Sequence, residues 1–190
     1  MSEPLKKLLS FLGIFGVAAI ILAFFMPKKP AQVVEQSTEI NVTMPDSIIH
    51  MNQHTIDQLK GLLKNDPDNI QHLIQVGNLY FDISRPADAI EYYEKALALD
   101  GTNPFVLTDC AVMYYQLGKS DTALAYLEKA LTLKPDLPQA HFNRGLIYLT
   151  AKDDRRSAIA SWEKFLTIAP DTVQANFVRQ QIELAKAGTQ

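Results

Sequence analysis

The chain is 190 residues long, 47% hydrophobic and 21% charged, which is enough for one modest domain and a further segment. Its formal net charge of −3 is uneven: residues 1–30 hold Lys6, Lys7, Lys28 and Lys29 against Glu3, so residues 31–190 carry −6, which argues against nucleic acid as a partner. The single cysteine, Cys110, excludes an internal disulfide framework and any cysteine-rich zinc site.

Leu8 to Met26 is an uncharged run of 19 residues between Lys6-Lys7 and Pro27-Lys28-Lys29. As a helix it would span about 28 Å, the hydrocarbon thickness of a bilayer. It ends in Phe24-Phe25-Met26-Pro27 with no small-residue cleavage site, which favours an uncleaved anchor over a signal peptide. Residues 1–26 are therefore read as a tail and one transmembrane helix, with residues 8–26 in the lipid. The signal-anchor arrangement then keeps the short tail inside, giving a single-pass protein of the inner (cytoplasmic) membrane with its remaining domain periplasmic. Residues 27–51, with Pro27, Pro30 and Pro45 and no sustained period, are expected to be a linker.

From about Asn52 to Lys64, Ile56, Leu59 and Leu63 mark one helix. Three longer copies follow over 70–103, 104–137 and 138–172, with columns that recur at a spacing of 34 until the third copy gains one residue. Gly77, Ala111 and Gly145 form one column, and Tyr80, Tyr114 and Tyr148 another. Further along come Ala89, Ala123, Ala158; Tyr93, Leu127, Trp162; and Ala96, Ala130, Phe165. Within each copy, apolar residues spaced three and four apart, such as Ile90, Tyr93, Leu97, give each helix one buried face. Two antiparallel helices per copy follow, with a small residue at Gly77, Ala111 or Gly145 letting the pair approach closely. Asn69, Asn103 and Leu137-Pro138 punctuate the entries, and Gly101, Gly118, Pro135 and Pro170 the exits or turns. Residues 52–69 fall in register with the second helix of a copy, so they form a half repeat. Over 173–190 an amphipathic helix with Ala175, Val178, Ile182 and Ala185 on one stripe, and Gln180 in the small-residue column, reads as a terminal cap.

This pattern resembles the tetratricopeptide repeat, over most of the chain after about residue 52. The resemblance implies an all-α, right-handed solenoid of three repeats with an N-terminal half repeat and a C-terminal capping helix, preceded here by one transmembrane helix. It also implies that the first helix of each copy lines a concave groove. The residues placed there are Gln71, Phe105 and Gln139, then Ile74, Thr108 and Phe142, then Asn78, Val112 and Leu146, then Phe81, Tyr115 and Leu149. Of these, Ile74, Asn78, Phe81, Phe105, Thr108, Val112, Tyr115, Phe142, Leu146 and Leu149 are the expected partner-binding residues. Some members of the family clamp a partner's C-terminal carboxylate with lysine, asparagine and arginine. Only Asn78 matches; Thr108, Asp109, Gln139 and Asn143 supply no cation, so an apolar or amphipathic peptide is the better fit. The competing occupant of the groove is the chain itself, through its last helix or the linker.

The remaining polar singletons read as structural. Arg144 stands where Val76 and Cys110 are apolar and needs a carboxylate or a route to solvent. Cys110 and His141 read as packed residues. His50 and His54 are four apart, but no third metal ligand is fixed, and no catalytic spacing or phosphate loop occurs, so neither metal, cofactor nor enzymatic activity is expected. The function expected is a membrane-anchored adaptor or scaffold that binds a membrane-bound or membrane-proximal protein or peptide for complex assembly. A maturation factor presenting apocytochrome c and a structural subunit of a larger membrane complex are the alternatives, and self-association is compatible with each.

Overall fold

The computed structural model describes residues 45–187. Those residues form eight helices: α1 (Asp46–Leu63), α2 (Ile70–Asp82), α3 (Pro86–Leu99), α4 (Pro104–Gln116), α5 (Ser120–Leu133), α6 (Pro138–Lys152), α7 (Arg155–Ile168) and α8 (Val173–Ala187). The span expected over 8–26 lies outside the described residues. Among the described residues no helix is long and apolar enough to cross a membrane. The chain divides into two units between Asn52 and Gln53, inside α1. Of the first unit, residues 46–52 are the opening turns of α1 and hold no buried side chain. Helix therefore begins at Asp46, within the stretch expected to be linker. Everything below concerns residues 53–187.

The entries are capped as their sequences require. Asn69 Oδ1 accepts from His72 N at 3.0 Å, and Asn103 Oδ1 accepts from Phe105 N and Val106 N at 3.0 and 3.2 Å. Pro86, Pro104 and Pro138 sit in the first turn of their helices, where a missing N–H costs nothing.

Each hairpin, α2–α3, α4–α5 and α6–α7, is closed by one residue in the left-handed region: Ser84 (φ 55°), Gly118 (φ 73°) and Asp153 (φ 49°). The carbonyls of Tyr80, Tyr114 and Tyr148 accept the closing N–H from Arg85, Lys119 and Asp154, each at 2.9 Å. The extra residue of the third copy is absorbed here, since α6 has 15 residues where α2 and α4 have 13. Only the middle turn uses glycine. Ser84→Gly is therefore expected to raise stability by about 0.5–1 kcal/mol in a urea titration, and a loss of stability would show that the Ser84 side chain is needed there.

Inside the hairpins, the glycine column does something the spacing alone did not show. A Cβ on Gly77 would stand 2.5 Å from the Tyr93 ring, and one on Gly145 would stand closer still to the Trp162 indole. The absent side chain is filled by an aromatic ring of the paired helix. In the middle copy the larger Ala111 faces the smaller Leu127, both fully buried, so the column pairs trade volume. Trp162 also donates its indole N–H to Phe142 O at 3.2 Å, which ties α7 to α6.

Between copies the joints are polar at the rim and aromatic at the end. Glu94 of α3 accepts hydroxyl hydrogens from Tyr114 of α4 and Tyr126 of α5. Beneath them Cys110 is fully buried, and burial, with the Glu94 charge, pushes its thiol up to about 12, so it is an inert packing residue. Arg144 finds the structural partners expected of it: Nε donates to Ser161 Oγ at 3.1 Å and Nη1 to Glu128 at 3.3 Å. His141 is packed, with Nε2 at 2.8 Å from Pro135 O and Nδ1 at 3.4 Å from Arg144 Nη2. The carbonyl can only accept, so Nε2 carries the proton and Nδ1 accepts from the guanidinium. At the end of the stack Ala175, Val178, Ile182 and Ala185 of α8 are buried, and Gln180 is exposed, as a terminal helix requires.

Candidate partner-binding face

The first helices of the copies, α2, α4 and α6, set the face on which the candidate residues fall. Register places Ile74, Asn78, Phe81 and Asp82 on one side of α2 and Phe105, Asp109 and Val112 on one side of α4, at spacings of three and four. Adjacent helices of this set touch directly: the hydroxyls of Tyr115 (α4) and Thr150 (α6) are 2.7 Å apart.

The ten candidates divide by exposure. Asn78 is exposed and Phe105 is 54% exposed, with the Lys134 ammonium 4.9 Å from its ring centroid. Ile74, Phe81, Val112, Tyr115 and Leu149 are half-buried, and the first four pack their inner edges on the core. Thr108, Phe142 and Leu146 are different, at 2%, 3% and 7% exposure. Thr108 returns its hydroxyl to Pro104 O at 2.8 Å within its own helix. Phe142 lies between Phe165 (ring centroids 5.7 Å) and Phe177 of α8 (6.3 Å), so the last helix covers it. The standing apolar wall therefore belongs to the first two copies and Leu149.

The same face carries carboxylates that the apolar pattern hid. Tyr93 donates its hydroxyl to Asn78 Oδ1 at 2.8 Å, and that phenol is held protonated by burial and by the negative charges of Asp109 and Asp82. Asp109 is partly buried, and no cation or hydrogen-bond donor meets its carboxylate among the described residues. Burial, with the Asp82 charge beside it, pushes its pKa up to about 7. Asp82 is also raised, by burial. One copy further on, Asn143 occupies the register position of Asp109. It is 4% exposed; its Oδ1 accepts from Gln139 at 3.2 Å, while its Nδ2 has no partner.

Two clefts lie among the second helices instead. One of about 590 Å³ is lined by Lys60, Lys64, Leu73, Tyr92, Lys95 and Leu99, and one of about 410 Å³ by Glu94, Leu97, Tyr126 and Lys129. None of the ten candidates lines either.

Residues 73–103 match the profile described as tetratricopeptide repeat, and residues 111–151 the one described as TPR repeat. The chain carries these repeats in an all-helical solenoid. A crystal structure of MamA is 28% identical with a TM-score of 0.69, covering 79% of this chain and 86% of that one. The first TPR of Spaghetti (RPAP3), bound to the HSP90 peptide SRMEEVD, is 27% identical with a TM-score of 0.58, covering 62% of this chain and 93% of that one. The NrfFG bifunctional subunit of the formate-dependent nitrite reductase complex, from Haemophilus influenzae, is 33% identical over 75 residues. That match covers 40% of this chain, which spans only 19% of the relative's length.

Proposed function

We propose that this repeat-bearing chain is an adaptor whose α2–α4 face binds an apolar or amphipathic segment of a protein partner, and that residues 8–26 anchor it in the inner membrane with the repeats on the periplasmic side. The observation that carries the reading is the run of half-exposed apolar side chains, Ile74, Phe81, Val112 and Tyr115, with Phe105 standing more than half exposed beside them. Binding there is positioning without chemistry: a tethered groove raises the effective concentration of a membrane-proximal partner. The RPAP3 domain holds an acidic peptide, whereas Asp82 and Asp109 on this face disfavour one.

A second reading, service in assembling a multisubunit redox complex including maturation of a c-type cytochrome, is favoured by the stretch shared with NrfFG. Loss of covalent haem from c-type cytochromes on deletion is its test, and unchanged haem staining would discard it.

For the groove itself, Phe142→Ala is a poor probe, because its ring is packed under α8. Phe81→Ala with Tyr115→Ala removes outward-facing surface instead. The full-length protein is drawn from detergent-solubilised membranes, and a partner recovered stoichiometrically with the wild type is expected to fall at least about tenfold with the double variant at unchanged helicity. Equal recovery would sink the groove.

A further inference from the structure

One unpaired group on the first helices, the Asp109 carboxylate, bears on what the partner looks like. A partly buried carboxylate is ordinarily paired with a cation or with N–H donors. Asp109 has neither among the described residues, and the charge that acts on it is another carboxylate, Asp82. The neighbouring polar groups give no relief: the Asn78 Oδ1 is occupied by the Tyr93 hydroxyl, and Tyr93 itself feels both acids. At the matching position of the next copy, the buried Asn143 holds an amide donor with no acceptor. One site lacks a cation and the next lacks a carbonyl. Asn143 is closed off from solvent, whereas the partly buried Asp109 can still be met by a basic side chain of a segment lying along α2 and α4.

We propose that the junction of the first and second copies takes the ammonium or guanidinium of a lysine or arginine from the partner segment, between Asp109 and Asp82, with Phe81, Phe105 and Val112 receiving the apolar residues beside it. This rests on the groove reading above and narrows it to a basic, amphipathic segment. Charge complementarity selects that occupant: residues 31–190 carry a net charge of −6, the face has two carboxylates, none of the ten candidates is cationic, and Lys134 beside them is engaged on the Phe105 ring. The fold alone gives no reason for an acid at position 109. The equivalent residues Gln75 and Asn143 are neutral, and an asparagine there would avoid the unpaired charge.

The test uses the full-length chain in detergent micelles at about pH 8 and a positional-scanning library of short peptides blocked at both ends. Wild type is expected to select peptides carrying lysine or arginine among apolar residues, and Asp109→Asn is expected to weaken those peptides about tenfold or more while leaving neutral ones unchanged. The same variant is expected to melt no lower than wild type, which separates lost recognition from lost folding. Selection by wild type with no basic preference, or a preference that survives Asp109→Asn with Asp82→Asn, overturns the cation subsite and leaves the groove standing. No selection by wild type at all overturns the groove, and this subsite with it.

Discussion

Gly145→Ala is expected to lower the free energy of unfolding by about 2–3 kcal/mol. The added methyl must enter space already held by the Trp162 indole, which is fully buried and tied to Phe142 O, so it cannot swing aside without breaking that bond. The compensating change is already present in the chain: where the column has alanine, at Ala111, its partner is Leu127 rather than an aromatic ring. Gly145→Ala combined with Trp162→Leu is therefore expected to be more stable than the sum of the two single losses predicts, with a coupling of about 1 kcal/mol or more in a double-mutant cycle. Urea titrations of the four proteins measure it. Strict additivity would mean that the methyl is accommodated elsewhere, and that the glycine column is not a ring socket.

Asp109→Asn is expected to stabilise the fold above neutral pH, an unusual direction for a substitution on a packed helix. The Asp109 carboxyl is pushed up to about 7 when folded, against 3.8 for a free side chain. Between those values the native state holds a proton that the unfolded chain has released. Stability from this group is then full below about pH 4, falls as pH rises toward about 7, and stays low above it. The gap corresponds to an effect on the order of 2–4 kcal/mol at pH 8, which the asparagine would recover. Other groups near or within the fold titrate too. Asp82 is raised like Asp109, while His141 is lowered, mainly by burial, and so loses stability as pH falls through its folded value. The difference between variant and wild type across pH 4–8 isolates Asp109, because both proteins share the other groups. A pH-independent difference would mean that the carboxylate finds a partner in solution.

Most of the helical order was readable because it rests on apolar spacing and on turn residues. The stripe Ala175, Val178, Ile182, Ala185 is buried, the Asn69 and Asn103 caps are made, and Arg144 pairs structurally. What escaped has identifiable causes. Helix over residues 46–51 buries nothing, so it leaves no periodic trace, and Pro45, which reads as a linker residue, stands just before its first turn. Ser84 and Asp153 take left-handed turns without the glycine that would have announced them. Register told which residues share the face of α6, but not that α8 would lie over Phe142. Asp109 was visible only as a missing cation; its lack of any partner needed the neighbours in space.

The covering of Phe142 by Phe177 also sets a timetable. Each hairpin leans on its neighbours in sequence, and α8, as the last member, leans chiefly on α7. A terminal helix of such a row detaches at a lower free energy than the row as a whole unfolds. Phe142 and Phe165 come into view only during those detachments. Any ligand for the third copy would bind with its intrinsic affinity multiplied by the fraction of time α8 is away, whereas among the described residues no helix lies over Phe105 on the second copy. Amide exchange should accordingly be faster in α8 than in α4 and α5. The face of the third copy is thus shared, by the clock, with the chain's own last helix.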